Sequence, residues 1–244
     1  MQQIGVVSRL RRYPVKSMAG EDLERVFVAY SGLTGDRIYA LVGLSEKKSF
    51  PWLSARQRPG LLLYKPRFVQ PLCPESPYPN MENLAVTVRL PHGLEGSLTD
   101  PRVLEALRKD LQCDFQLRFS ERGMQDSRPL SLMGEATIAA LSRETGQPLD
   151  PRRFRANLYV RWLSEEPFFE DALVGRQLQI GEKLTLLISK KDPRCKVIGL
   201  DPDTAESQPA ILETVVRAHD GCAGVYAVVL REGIIETGAP IYAT

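Results

Sequence analysis

Residues 190–203 read KKDPRCKVIGLDPD, and the organisation of the chain can be traced outward from this stretch. Asp192 and Pro193 favour a turn, Val197, Ile198 and Leu200 form a short apolar run of strand character, and Asp201-Pro202-Asp203 ends it. Cys195 is thereby expected where a loop meets a strand. Lys190, Lys191, Arg194 and Lys196 flank it with positive charge, a setting that favours the thiolate, the form that binds metals and attacks electrophiles. A lone cysteine in a strand-rich chain is also simply a small core residue, and the stretch by itself leaves both readings open.

The surrounding composition narrows the classes. The 244 residues carry 32 basic and 30 acidic side chains, a net charge of +2, which argues against a protein that coats nucleic acid and requires any basic site to be local. The length suits one large domain or two small ones. Cys73, Cys113, Cys195 and Cys222 stand far apart without a CxxC pair, and no secretory leader is evident. Neither a disulfide framework nor a structural zinc site is expected, and the expected compartment is the reducing cytoplasm. No run of about 18 apolar residues is present, so no membrane span is expected.

Strand signals dominate the rest: Ile4–Leu10, Leu23–Tyr30, Ile38–Val42, the alternating Leu84–Leu90, Phe115–Phe119 and Val225–Leu230. Three helices interrupt them. The first is capped by Asp100 with Pro101 at its first position and Leu104, Leu107 and Leu111 on one face. The second runs from about Leu132 to Arg143 with Ser131 as its cap, and the third from Pro209 to Arg217. The polar segment Glu121–Arg128 marks the expected boundary between a domain at 1–120 and one at 121–244.

Cations recur on turns. In RRYPVKSMAG (11–20), Pro14 and Gly20 bracket Lys16 and Ser17, putting an ammonium, a hydroxyl and free amides where an anion can be held. In GLTGDR (32–37), two glycines deliver Asp36 and Arg37 to a strand start. SFPWLSARQRPGLLL (49–63) carries Arg56 and Arg58 before a Pro59-Gly60 turn, either a surface loop or part of a site wall. In DPRRFRANLYV (150–160), an extended chain turns Arg153 and Arg155 to the same side, toward a common anion; a solvated basic patch is the alternative.

RRYPVKSMAG, GLTGDR and SARQRPGL (54–61) resemble, in order and spacing, the amino-terminal β-barrel-like domain that precedes molybdenum cofactor sulfurase carboxy-terminal (MOSC) domains. RRFRANLYV (152–160) and PRCKVIGLDPDT (193–204) resemble two signature segments of the MOSC domain itself. The resemblance implies a β-rich α+β protein: a MOSC β-barrel packed intimately against an amino-terminal β-barrel-like domain, with a few helices. It implies binding of the molybdenum cofactor, a pterin with a dithiolene and a phosphate. Cys195 inherits the role of molybdenum ligand and catalytic residue, while Lys16, Ser17, Arg37, Arg155 and Asn157, with the polar pair Asp126 and Ser127, match positions that hold the cofactor. A soft thiolate suits a soft metal centre, and cations from several turns suit one phosphate.

The relatives of this architecture reduce N-hydroxylated compounds, which implies a small N-hydroxylated substrate. Ala156 replaces the proline usual in its signature, and Pro193 stands where some relatives carry a hydroxyl near the metal. No iron–sulfur cysteine set follows residue 222, so electrons are expected from an external donor of ferredoxin or flavin type. Three readings stand: a reductase of N–O bonds, a carrier whose Cys195 bears a persulfide during cofactor maturation, and a non-enzymatic cofactor-binding protein.

Overall fold

A computed structural model describes residues 2–44 and 51–243. Ser49 and Phe50, which open the 49–63 segment, lie outside the described residues. The amino-terminal half runs β1 (Gln2–Arg12), β2 (Glu21–Leu23), β3 (Arg25–Ala29), β4 (Gly32–Leu33), β5 (Tyr39–Gly43), β6 (Lys65–Phe68), β7 (Val86–Arg89), β8 (Glu95–Ser97), α1 (Pro101–Leu111) and β9 (Phe115–Phe119). The second half runs β10 (Leu130–Gly134), α2 (Glu135–Glu144), β11 (Leu158–Trp162), β12 (Gln177–Ile180), β13 (Leu184–Pro193), α3 (Pro209–His219), β14 (Cys222–Arg231), β15 (Gly233–Glu236) and β16 (Pro240–Ala243).

Seven strands close into a barrel in the order β11-β10-β14-β13-β12-β16-β1, and β1 pairs back onto β11 to complete the ring. Closure removes the exposed edges that an open sheet of this size would leave. The β10–β11 contact is parallel and the other pairings are antiparallel. Along β13 the alternation Leu184, Leu186, Ile188 puts three wholly buried side chains into the interior, where they meet Leu178, Val225, Ala227 and Ile241. A second core lies in the amino-terminal half. There Val86 and Val88 of β7, Phe115 of β9, Leu41 of β5 and Val103, Leu107 and Leu111 of α1 pack together.

The halves interleave. On a division at 120/121, β1 lies on the amino-terminal side yet is a stave of the barrel, and β15 from the carboxyl-terminal half pairs with β3. Among the described residues, no helix is long and apolar enough to cross a membrane.

Local chemistry accounts for most boundaries. The Asp100 side chain accepts from the Arg102 amide and Pro101 occupies the first turn, so α1 begins where the sequence places it. The second helix differs from expectation. Residues 130–134 are the strand β10, α2 begins only at Glu135, and Ser131 is therefore a buried strand residue and no cap. All five residues of β10 are buried, so it lacks the alternation that marks a half-exposed strand. Around the cysteine, Asp192-Pro193 extends β13 instead of turning, and Lys196–Gly199 is a 3₁₀ turn instead of a strand. Arg153 lies in the 3₁₀ turn Pro151–Phe154 and Arg155 follows with φ 52°, so that stretch is not extended either.

Candidate functional site

One cleft, enclosing ≈ 840 Å³ with its open mouth included, is lined by Lys16, Ser17, Arg37, Asp126, Arg155, Asn157 and Cys195. Ser127 is the sequence-predicted site residue absent from its lining, where Arg128 takes part instead.

Three backbone positions in the left-handed region carry the site: Ser17 (φ 67°), Arg37 (φ 53°) and Arg155 (φ 52°). Non-glycine residues adopt that region at a cost, and such strain gathers at functional sites. Backbone bonds fix the first two. The Lys16 amide donates to the Tyr39 carbonyl at 2.8 Å and the Arg37 amide to the Tyr13 carbonyl at 2.6 Å. The Tyr13 amide in turn donates to Asp36 Oδ1 at 2.9 Å.

The Lys16 side chain is buried, donates to the Met124 carbonyl at 2.6 Å and forms an ion pair with Asp126. Burial pulls its ammonium below the ordinary lysine range, and the charges of Asp126 only partly counter this. For Asp126, desolvation pushes the carboxyl up, but Lys16 outweighs it and holds the group below its ordinary value. Arg37 pairs with Asp36 and donates to the Arg155 carbonyl at 3.1 Å. Arg155 donates to the Met18 carbonyl at 2.8 Å, and its Nη2 is buried without a partner. Burial pulls Arg155 down to about 10, aided by the like charges of Arg37 and Arg11. The Tyr13 ring lies within 4.7 Å of the Arg37 Cζ and 4.3 Å of the Arg155 Cζ, so one aromatic ring holds both cations. Asn157 turns its amide to the backbone: Nδ2 donates to the Arg11 carbonyl and Oδ1 accepts from the Ser131 amide, both at 3.3 Å.

Cys195 is half-buried at the start of the 196–199 turn, two residues beyond β13. A register shift between Lys191 and Pro193 precedes it, the kind of bulge that re-aims a strand end. The charges of its neighbours go elsewhere. Arg194 donates to the Ala223 and Phe154 carbonyls and pairs with buried Asp192 at 3.0 Å. Lys190 lies over the Tyr226 ring, and Lys191 pairs with Asp171. Arg194 still lines the cleft, where it is joined by cations from distant turns, Arg56 and Arg153 among them.

Sequence reasoning missed the site roles of Tyr13, Asp192 and Tyr226. Tyr13 stands inside the 11–20 motif and was legible as an aromatic among cations; the other two carry no local signal. Burial raises the Asp192 carboxyl against the pull of Arg194, and burial with Asp192 raises the Tyr226 phenol. Among the described residues, no three His, Cys, Asp or Glu side chains group as a metal site.

Comparison with known proteins gives the family. Molybdenum cofactor sulfurase of Caenorhabditis elegans is 30% identical over 121 residues, which cover 49% of this chain and 16% of that protein. The corresponding protein of Caenorhabditis briggsae is 29% identical over the same share. The chain thus spans about a sixth of the length of these relatives. Mitochondrial amidoxime reducing component 2 of Bos taurus is 24% identical, with 99% of this chain and 84% of that protein covered. The crystal structure of the YUAD protein from Bacillus subtilis shares the fold with a TM-score of 0.52 at 17% identity, over 98% of this chain and 94% of that one. A model of the MOSC N-terminal beta barrel domain matches residues 4–124 and a model of the MOSC domain matches residues 120–242. On these matches, which together span nearly its whole length, the chain belongs to the MOSC domain family.

Proposed function

We propose that the cleft holds the molybdenum cofactor and that the protein reduces N–O bonds of small N-hydroxylated substrates with electrons from an external ferredoxin-type or flavin donor. The observation that carries the reading is the convergence of Lys16, Ser17, Arg37, Arg155 and Asn157, drawn from both halves of the chain, on the cleft that Cys195 also lines. The residues fit such a group. Arg155 offers a buried guanidinium nitrogen with no partner, suited to a phosphate oxygen, and Cys195 offers a soft donor for molybdenum. When bound, the cofactor supplies a molybdenum centre for oxygen-atom removal.

The chain's own residues bind and orient. Lys16, Ser17, Arg37, Arg155 and Asn157, with Asp126, hold the pterin and its phosphate, and Cys195 Sγ is the ligand to the metal; Ser127, outside the lining, takes no part. Tyr226 lines the cleft wall, and its Oη–H bonds to Asp192, which together with burial raises the phenol above its ordinary value. The overall conversion consumes two electrons and two protons and yields the reduced nitrogen compound and water.

The sulfurase relatives favour one second reading, in which Cys195 carries a persulfide during cofactor maturation. Cys195→Ser separates the two. On the reductase reading the variant retains pterin yet fails to reduce benzamidoxime or hydroxylamine with reduced viologen, while wild type turns over. A Cys195→Ser variant as active as wild type removes the thiol from the chemistry.

A further inference from the structure

Three consecutive carbonyls run through the turn that carries Arg155, and each is taken by a side chain from a different segment. The Phe154 carbonyl accepts from Arg194 Nη1 at 2.8 Å, the Arg155 carbonyl from Arg37 Nη2 at 3.1 Å and the Ala156 carbonyl from Tyr13 Oη at 3.3 Å. The turn needs such partners. It lies between the end of the 151–154 turn and the start of β11 at Leu158, with Phe154 and Ala156 buried, and buried backbone groups are almost always paired. Arg155 sits among them at φ 52°, a conformation that a non-glycine residue keeps only where its surroundings over-determine it.

Arg194 joins this turn to the thiol. It directly precedes Cys195, its side chain is 6% exposed, and each of its three side-chain nitrogens is engaged. Nε donates to the Ala223 carbonyl at 2.7 Å, Nη1 to Phe154, and Nη2 to Asp192 at 3.0 Å, while the Arg194 amide donates to the Gly221 carbonyl at 2.7 Å. One planar fork therefore fastens the end of β13, the start of β14 and the Arg155 turn at a single point.

We propose that Arg194 is a positioning residue, which fixes the Cys195 loop and the Arg155 turn as one rigid unit. The link itself stands on these bonds. Its purpose, to hold the metal donor and a phosphate-binding cation at a set separation, rests on the cofactor reading.

The test is hydrogen–deuterium exchange of the cofactor-free chain, wild type and Arg194→Lys, followed in peptides spanning 153–158 and 194–200. Lysine keeps the charge, but its single nitrogen cannot span the acceptors that three nitrogens reach. The amides of Arg155 and Asn157, bonded to the Arg152 and Ser131 carbonyls, and that of Ile198, bonded to the Cys195 carbonyl, are expected to exchange about tenfold faster, the loss expected for one charged hydrogen bond. Exchange in α1 stays within about twofold. Lys191→Gln, which removes a neighbouring cation paired with Asp171, leaves both peptides within about twofold as well. Faster exchange in every segment alike, unchanged protection in Arg194→Lys, or loosening of the cysteine loop without the Arg155 turn overturns the proposal. Where Arg194→Lys does not fold, wild type in rising urea takes its place: both peptides are expected to open with one slope, smaller than that of global unfolding, and two different slopes break the link. In cofactor-loaded protein, turnover of benzamidoxime per bound molybdenum is expected to fall about tenfold in Arg194→Lys, whereas a merely structural arginine changes only how much loaded protein is recovered. Undiminished turnover per molybdenum removes the positioning role. A chain whose two turns loosen together but which never takes up molybdenum keeps the link and loses the reductase reading.

Discussion

Arg155→Met is expected to leave the ligand-free protein as stable as wild type while abolishing its hold on the cofactor. Arg155 is largely enclosed, and burial pulls its guanidinium down to about 10. That depression corresponds to about 3 kcal/mol for keeping the charge inside the folded chain. The group stays ionised at any pH the protein meets, so the penalty persists across the neutral range. Against it stand a charged hydrogen bond to the Met18 carbonyl, of order 1.5–3 kcal/mol, and the Tyr13 ring at 4.3 Å, of order 0.5–2 kcal/mol. The terms nearly cancel. Methionine keeps the unbranched stem that covers Tyr13, so the net change is expected within about 1 kcal/mol, a shift in Tm of no more than about 4 °C for a chain of this size. An arginine whose purpose is to tie the fold behaves differently, costing about 3–5 kcal/mol when its partner is left alone. Urea and thermal unfolding of the cofactor-free proteins, with pterin fluorescence on preparations made in a cofactor-producing host, decide the matter. A loss above about 3 kcal/mol, or full pterin content in the variant, refutes the reasoning.

Further outcomes follow from the same geometry. Lys16 holds the Asp126 carboxyl below its ordinary value, so the stability from this pair is complete above about pH 4 and is lost as the pH falls through the lowered value. The difference in urea midpoint between wild type and Asp126→Asn is therefore expected at pH 7 and expected to shrink below pH 4; a difference that grows on acidification contradicts the pairing. Gly224→Ala and Gly221→Ala form a matched pair, because both glycines have positive φ, 73° and 72°. A Cβ at Gly224 meets the Leu132 carbonyl oxygen at 2.6 Å and Arg194 Nη2 at 3.1 Å, whereas at Gly221 the nearest atom is 3.8 Å away. Gly221→Ala is expected to cost about 1–2 kcal/mol of backbone strain and Gly224→Ala about 1–3 kcal/mol more, read from equilibrium unfolding. Equal costs would show that the Arg194 anchor is not crowded.

Much of the architecture was legible because two periodicities survive in the sequence. Alternation marked Val86 and Val88 as the buried face of β7, and the Asp100-Pro101 pair fixed the start of α1. What failed to show had a physical cause in each case. Leu132 and Met133, with Ser131 as a cap before them, read as the opening of a helix because leucine and methionine favour helices, yet β10 sits between β11 and β14 and is buried on all sides. Tertiary pairing overrode propensity there. The apolar run after Cys195 read as a strand, but β13 continues through Pro193 and the chain turns at Lys196–Gly199.

The candidate site divides in the same way. The motif positions Lys16, Arg37 and Arg155 come together on one cleft, because turn chemistry is local and short motifs report it. The partners of the charges around Cys195 were not legible, because adjacency in sequence says nothing of where a long side chain finds its acceptor. Arg194 finds carbonyls and Asp192, and Lys191 finds Asp171. The roles of Asp192 and Tyr226 depend on contacts across the barrel that no local pattern encodes.

The central claim is that this cleft holds a molybdenum–pterin group through its cations and the Cys195 thiol. The measurement that tests it most directly is elemental and pterin analysis of the protein purified from a host that makes the cofactor, with Cys195→Ser and Arg155→Met alongside. The account predicts molybdenum equimolar with pterin in wild type, pterin retained in Cys195→Ser, and both lost in Arg155→Met. Wild-type protein that carries cyanide-labile sulfur on Cys195 and neither molybdenum nor pterin would contradict it.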